Sequence, residues 1–163
     1  MTHLAPGYVL RREGERRDFA GGGIHEWMAR SEETGGAFHA FIDHLVAGKR
    51  TPLHLHPEAD DSMYVIDGEL RFYVDGEVHE LGPGSFVTAL RGTPHAFMVT
   101  SETATVFAFQ TPGVGESFYR DASDPRDPAA VGAKPEDIPR LQRTAAANEV
   151  AVTILGPPPF DAD

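Results

Sequence analysis

Three histidines and one aspartate are the residues of this chain whose types and spacing could do chemistry. His54 and His56 form a His-Leu-His pair, Asp61 follows five residues later, and His95 comes after a glycine-rich stretch. On an extended strand, side chains two residues apart leave the same face about 6.6 Å apart, so one ion can accept both imidazoles. A nearby carboxylate and a distant third imidazole complete a donor set that suits a single metal ion.

Composition restricts how such an ion could be held. The chain contains no cysteine. Disulfides, iron–sulfur clusters, thiolate metal sites and a cysteine nucleophile are therefore excluded. Any metal must be bound by imidazole and carboxylate groups.

Size and charge narrow the class of protein. The chain has 163 residues and a formal net charge of −11. One domain is the default at this length, and the negative charge offers no general basic surface to a phosphate backbone, so nucleic-acid binding is not expected. No apolar run approaches the roughly 20 residues that span a bilayer, and the N-terminus lacks the apolar core of a signal peptide. We therefore expect a soluble, cytoplasmic protein with no membrane partner.

The elements that must position these residues are short strands. Alternating, β-branched and aromatic segments predict strands at 24–30, 37–47, 51–56, 62–66, 70–74, 85–89, 95–100 and 103–110. Between them, Asp67-Gly68 and Asp75-Gly76 favour tight hairpins because glycine accepts a positive φ. Closely spaced short strands without βαβ alternation predict an all-β sandwich or barrel.

After residue 112 the pattern changes. Residues 113–135 are rich in Gly, Pro and Asp and are predicted to form a surface loop. Residues 134–137 open a predicted helix that runs to about residue 147, and residues 150–155 are expected to add an edge strand or to anchor the tail. The predicted organisation is an N-terminal arm at 1–23, a β-barrel at 24–112, and a loop, helix and tail at 113–163 that pack on the barrel.

The spacing of glycines around the histidines resembles the two motifs of the cupin superfamily. The first motif is a Gly, five residues, His-x-His, three or four residues, Glu, six residues and Gly. It is matched here by Gly48, His54, His56, Asp61 in the Glu position, and Gly68. The second motif is matched by Gly84, Leu90 in place of Pro, Gly92, His95, and Val99 in place of Asn. Every spacing is kept, although three residues differ.

Further segments, such as 34–38, 116–119 and 155–159, resemble single-domain bacterial cupins of the quercetin 2,3-dioxygenase-like group. The resemblance implies a conical β-barrel, also called a double-stranded β-helix or jelly roll, with a C-terminal helical tail. It implies one divalent ion (iron, nickel, manganese, cobalt or zinc) bound by His54, His56, Asp61 and His95. It also implies a homodimer joined through barrel edges and exchanged N-terminal strands, for which residues 1–23 are the candidate arm.

Asp61 is the departure from the family that bears on mechanism. In the quercetinase-like interpretation this carboxylate is catalytic, because it accepts a proton from a substrate hydroxyl before dioxygen attacks the substrate. Aspartate reaches about 1.5 Å less far than glutamate. Three alternatives stay open: Asp61 binds the metal directly, acts through water, or does not bind, in which case Asp60 is a second candidate.

The predicted substrate is a phenolic or enol-type small molecule, flavonol-like or polyketide-like, in an apolar pocket. The residues predicted to line this pocket are Phe41, Met63, Phe72, Phe86 and Phe97. The main hypothesis is a metal-dependent dioxygenase that uses O2 as co-substrate. The alternatives are a non-oxidative metal cupin that works as a cyclase or isomerase, and a small-molecule-binding cupin without catalysis or without metal.

Overall fold

A computed structural model describes residues 7–10 and 13–161 of the chain. This part contains twelve strands and two α-helices. The strands are β1 Glu15–Phe19, β2 Ile24–Ala29, β3 His39–Val46, β4 Leu53–Leu55, β5 Asp60–Asp67, β6 Leu70–Val74, β7 Glu77–Leu81, β8 Phe86–Ala89, β9 His95–Val99, β10 Thr103–Thr111, β11 Ser123–Pro125 and β12 Thr153–Gly156. The helices are α1 Glu116–Asp121 and α2 Ile138–Ala147, and short 3₁₀ turns lie at Ser31–Thr34 and Gly113–Gly115.

The strands form two antiparallel sheets. One sheet has seven strands in the order β11-β1-β2-β3-β10-β5-β8, and the other has five in the order β12-β4-β9-β6-β7. Consecutive strands switch repeatedly between the two sheets, so the chain encloses a common interior. The predicted all-β barrel with a C-terminal helix is confirmed.

Alternation along the strands fills this interior. In β10, Ala104, Val106 and Ala108 are buried while the residues between them are partly exposed, as the two-residue period of a strand requires. The main apolar cluster joins residues from both sheets and consists of Leu45, Met63, Val65, Leu70, Phe72, Phe97, Val99, Ala104 and Val106. Burial of these side chains stabilises the strands that carry the four predicted metal ligands.

The N-terminal segment differs from the predicted arm. Strand β1 pairs with β2 and with β11 of its own chain, so the described residues of this segment extend the seven-stranded sheet. The side chain of Arg17 donates to the hydroxyl and carbonyl oxygens of Ser123, which ties β1 to β11. The rest of the predicted arm lies partly outside the described residues, and its exchange with a second copy stays a prediction.

The segment predicted as a loop at 113–135 contains α1 and β11 instead. Phe118 of α1 is buried, and its ring packs edge-on against Phe19 of β1 with centroids 6.0 Å apart. This packing stabilises a six-residue helix that turn-forming Gly and Asp residues hide in the sequence. Helix α2 begins close to the predicted position, where the Asp137 side chain accepts a hydrogen bond from the backbone of Arg140 at 3.0 Å.

Strand β7 was not among the predicted strands. Four of its five residues are exposed, so it lacks the apolar alternation on which the prediction depended. It pairs with β6 through the predicted Asp75-Gly76 turn, in which Val74 lies opposite Glu77 and both turn residues have a positive φ. No helix in the described part of the chain is long and apolar enough to cross a membrane.

Two turn glycines with similar φ allow a test of how closely the strands approach each other. A Cβ at Gly68 would lie 2.3 Å from the carbonyl oxygen of Thr103, whereas a Cβ at Gly76 would have nothing within 4 Å. We expect Gly76→Ala to lower the free energy of unfolding by about 1 kcal/mol, and Gly68→Ala by about 2–4 kcal/mol because backbone must also move. Urea unfolding followed by Trp27 fluorescence measures both, and equal losses would contradict the steric account.

Candidate metal centre

Three strands, β4, β5 and β9, bring the predicted ligands together. His54 on β4 lies directly opposite His95, the first residue of β9, and their ring centroids are 4.4 Å apart. His56 follows β4, and Asp61 is the second residue of β5. One donor atom from each of the four side chains lies within 4.8 Å of the other three. Only small side-chain movements separate this arrangement from one in which a single ion touches all four.

Backbone carbonyls fix the orientation of all three imidazoles. Each Nδ1 lies within hydrogen-bond distance of a carbonyl oxygen: 2.8 Å for His54 and Pro52, 2.7 Å for His56 and Ala151, and 2.9 Å for His95 and Thr93. Because a carbonyl only accepts, each Nδ1 must carry a hydrogen, so in the neutral imidazole it is Nε2 that offers a lone pair to the centre of the site. This is the usual support of a metal-binding histidine.

Asp61 reaches the histidines although it is shorter than the family's glutamate. Its Oδ2 lies 3.1 Å from Nε2 of His95 and 3.5 Å from Nε2 of His56. Burial alone would raise the pKa of Asp61, but the charge and hydrogen bond of His56, followed by those of His95, hold it well below the usual value. Asp61 is therefore an anionic donor facing the imidazoles.

The charge states of the histidines suit a cation. Burial, together with the neighbouring His95 and His56, holds the pKa of His54 well below its usual value, so this imidazole is neutral. Burial would lower the pKa of His56 too, but Asp61 outweighs it and raises that pKa. Asp61 thus favours a proton on His56, and a divalent ion that displaced this proton would meet three imidazole nitrogens and one carboxylate, a donor set that fits it.

Gln110 and Tyr119 extend the site, and neither was predicted from the sequence. The side-chain nitrogen of Gln110 lies 3.3 Å from Oδ1 of Asp61 and 3.0 Å from the hydroxyl of Tyr119. Gln110 could have been found, because it is the polar member of the inward row that contains Ala104, Val106 and Ala108. Tyr119 lies on α1, in the stretch predicted as a loop.

A cavity of about 80 Å³ adjoins the four residues. Phe41, Met63, Phe72 and Phe97, four of the residues predicted to line a substrate pocket, line this cavity. The expectation that Phe86 lines it is wrong. Phe86 is 59% exposed and pairs across β8 and β5 with the outward-facing Tyr64, so the two-residue period turns Val87 and Ala89 inward instead.

The same cavity also carries polar groups that the sequence did not single out as a site: His25, Asp43 and Lys49. His25 is stacked between the rings of Phe19 and Phe41 at centroid distances of 4.3 and 4.5 Å, and its Nε2 lies 2.9 Å from Oδ1 of Asp43. The buried Lys49 ammonium donates to the carbonyl of Gly21. The cavity therefore has an apolar wall with charged groups beside it.

Asp60 and two further histidines, His44 and His39, lie outside this cluster. Asp60, the second candidate ligand, points outward and accepts hydrogen bonds from the backbone and guanidinium of Arg91 at 2.8–3.2 Å. His44 contacts Glu26 at 2.9 Å. His39, on the opposite face of β3, is fully buried among Trp27, Phe41 and Tyr119, and neither ring nitrogen has a hydrogen-bond partner among the described residues.

Comparison with known sequences points to one family. A family model of the cupin domain matches residues 41–109. Quercetin 2,3-dioxygenase of Bacillus subtilis is 27% identical over 128 residues, which are 77% of this chain and 38% of the dioxygenase. L-ectoine synthase of Hahella chejuensis is 31% identical over 94 residues, which are 56% of this chain and 69% of the synthase. The chain thus spans well under half the length of the dioxygenase it matches.

Comparison with solved structures agrees at the level of the fold. An RmlC-like cupin from Shewanella frigidimarina superposes with a TM-score of 0.57 at 18% sequence identity. The match covers 67% of this chain and 93% of that chain. At this identity the likeness describes the barrel and not its chemistry.

The adjacent aspartates provide a matched test of the metal site. Asp61→Asn removes an anionic donor that faces the imidazoles, and we expect it to lower zinc affinity about 10–100-fold. Asp60→Asn removes an equal charge one residue away on the outer surface, and zinc affinity should stay within about twofold of wild type. Calorimetric titration of the metal-free proteins measures both affinities. Equal loss in the two variants would contradict the assignment of Asp61 as a ligand.

His39 gives a pH-dependent test of the packing behind the site. Burial lowers the pKa of His39 to about 4, whereas an unfolded histidine titrates near 6.5. Below pH 6.5 the unfolded chain therefore binds a proton that the folded chain rejects until about pH 4, so this residue lowers stability as the pH falls. When the pH is lowered from 7 to 4.5, the free energy of unfolding should fall by about 2 kcal/mol less in His39→Phe than in wild type.

Urea unfolding at the two pH values measures this difference. His79→Gln is the control, since His79 lies exposed on β7. The control should keep the pH dependence of wild type. A His39→Phe variant with that same dependence would show that His39 is not the titrating group.

Proposed function

The chain belongs to the cupin superfamily, and from this premise we propose that it is a metal-dependent enzyme acting on a small enol-type or phenolic molecule, with dioxygenation as its reaction. The observation that carries the proposal is the cluster of His54, His56, Asp61 and His95, in which one donor atom of each side chain lies within 4.8 Å of the others and backbone carbonyls hold the Nδ1 atom of each imidazole. Its similarity to quercetin 2,3-dioxygenase over 77% of the chain supports the oxidative form.

In this proposal the four side chains hold one divalent ion, which when bound would act as a Lewis acid on a substrate oxygen and, if redox-active, support reaction with dioxygen. The chain's own residues do the remaining work. The backbone carbonyls of Pro52, Ala151 and Thr93 keep the imidazoles in their binding tautomer. The aromatic side chains that line the cavity give the site an apolar wall.

The electrostatics of Asp61 bear on which role it plays. A carboxylate whose pKa is held well below its usual value binds a proton weakly at neutral pH. Because it stays ionised at neutral pH, it can bind a cation without first losing a proton. The structure therefore supports Asp61 better as a metal ligand than as the base that accepts the substrate proton.

The cavity narrows the substrate class. Its volume of about 80 Å³ is well below the roughly 300–1,000 Å³ of pockets that hold drug-sized ligands. A flavonol would require the walls formed by Phe41, Met63 and Phe72 to move. We therefore favour a substrate of a few carbon atoms over the flavonol-like molecule predicted from the sequence.

A second candidate is non-oxidative chemistry at the same site. The specific observation in its favour is the 31% identity to L-ectoine synthase over 69% of that protein. A cyclase or isomerase needs an ion that polarises a carbonyl group, and it uses the same four ligands without dioxygen.

Metal analysis and oxygen consumption distinguish these functions. Purified protein should contain one equivalent of a divalent metal, and protein loaded with iron, nickel, manganese or cobalt should consume oxygen with acetylacetone or catechol faster than with quercetin. His95→Ala is the control, and it should lose both metal and activity. Stoichiometric metal with no oxygen uptake in any loaded form would reject the dioxygenase and favour the non-oxidative enzyme. Absence of bound metal, with no uptake of added metal, would reject both.

A further inference from the structure

Gln110 connects the metal centre to a tyrosine that lies outside the cupin motifs. The side chain of Gln110 is buried, and its nitrogen lies 3.3 Å from Oδ1 of Asp61 and 3.0 Å from the hydroxyl of Tyr119. The residue lies directly across from Asp61 in the pairing of β10 with β5. The backbone register therefore fixes this contact.

The donors and acceptors of Asp61, Gln110 and Tyr119 fix the direction of the hydrogen bonds between them. The amide nitrogen of Gln110, not its oxygen, faces Oδ1 of Asp61 at 3.3 Å, and the carboxylate oxygen accepts this hydrogen bond. An amide nitrogen only donates. It also lies 3.1 Å from Nε2 of His56, but if that atom bound the metal, the two amide hydrogens would serve Oδ1 of Asp61 and the hydroxyl oxygen of Tyr119. The Tyr119 hydroxyl is thus an acceptor toward Gln110, and its own hydrogen is left for another partner.

No second hydrogen-bond partner for that hydroxyl lies among the described residues, and Tyr119 lines the cavity. Its ring is held by Phe41 and Phe118, with centroids 5.1 and 5.2 Å away. The two hydrogen bonds in series keep its hydroxyl within about 6 Å of Oδ1 of Asp61. Burial raises the pKa of Tyr119 well above its usual value, so the phenol keeps its proton at neutral pH.

We propose that Tyr119 is a substrate-contacting residue that donates a hydrogen bond to an oxygen atom of the ligand at the metal centre, and that Gln110 is the positioning residue that aims it. The inference rests on the proposed function and specifies its substrate, which must present an oxygen acceptor beside the oxygen that binds the metal. Tyr119 belongs to α1, beyond the residues matched by the cupin-domain family model. This contact is therefore supplied by the segment that follows the matched domain.

The absence of a side chain at Gly115 leaves space for the Gln110 amide. A Cβ at Gly115 would lie 2.2 Å from Oε1 of Gln110, so a residue with a side chain at this position would displace the amide. Gly115 immediately precedes α1, which carries Tyr119. The segment that supplies the tyrosine thus also leaves the space for the side chain that orients it.

A binding measurement on cobalt-loaded protein tests the proposal without turnover. Acetohydroxamate, a small chelator with two adjacent oxygens, is titrated into the protein while the visible absorption of the cobalt ion is followed. Tyr119→Phe should bind one equivalent of cobalt as wild type does, but its acetohydroxamate dissociation constant should rise about 10-fold because one donor to an anionic oxygen is lost. Tyr64→Phe makes the same substitution on the outer face of β5 and should leave the dissociation constant unchanged.

Gln110→Met tests the positioning role. It removes both amide donors at similar volume, and it should also weaken acetohydroxamate binding. Adding Tyr119→Phe to this variant should then change the acetohydroxamate dissociation constant by less than about threefold. Without the amide of Gln110, the Tyr119 hydroxyl is no longer held toward the ligand, so its removal costs little further affinity.

The outcomes separate the two levels of inference. A Tyr119→Phe variant with bound cobalt and an acetohydroxamate dissociation constant within twofold of wild type would overturn the role of Tyr119 and leave the metal site intact. Full additivity of the two substitutions would overturn the positioning role of Gln110. A wild-type protein that takes up no cobalt would overturn the proposed function, and the role of Tyr119 with it.

Discussion

The pairing of β4 with β9 is the constraint on which the rest of the site depends. It places His54 directly opposite His95, so two imidazoles from distant parts of the sequence project into one interior from neighbouring strands. A slip of one residue would turn His95 to the other face of its sheet. The pairing of β9 with β6 over five residues holds this register, although β4 itself has only three residues. The short ligand strand thus takes its position from a longer neighbour.

The C-terminal segment completes the site and is more than a cover for the barrel. Strand β12 adds to the free edge of β4, and the turn before it brings the carbonyl of Ala151 to within 2.7 Å of Nδ1 of His56. A separate apolar cluster that includes Phe118, Leu141 and Val152 anchors α1, α2 and this turn together. The tautomer of one metal-binding histidine and the placement of Tyr119 therefore depend on the same packing. Loss of that packing would disturb the site without touching a ligand.

Local sequence patterns predicted the barrel and the His-Leu-His pair, and the resemblance to the cupin motifs added Asp61 and His95 to that pair. Turn glycines and two-residue alternation define the strands, and the His-Leu-His pair needs only an extended backbone to be on one face. The predictions were wrong where a long-range contact determines the direction of a side chain or the formation of a helix. Phe86 was assigned to the pocket by residue type, but its pairing with Tyr64 turns it outward. Helix α1 and Tyr119 depend on Phe118 packing against a strand about 100 residues earlier, and no local signal reports that contact.

The aspartate at the glutamate position of the family motif is accommodated by its surroundings. Asp61 already lies 3.1 Å from His95, and the space beyond its other oxygen is occupied by the amide of Gln110. A longer carboxylate would compete with that amide, whereas the shorter one uses it as a donor. The amide nitrogen of Gln110 also contacts the hydroxyl of Tyr119, so one side chain positions both Asp61 and Tyr119. The shorter side chain thus connects the metal centre to a residue in the substrate cavity. The chemistry open to this site therefore depends on the groups around the four candidate ligands as well as on the ligands themselves.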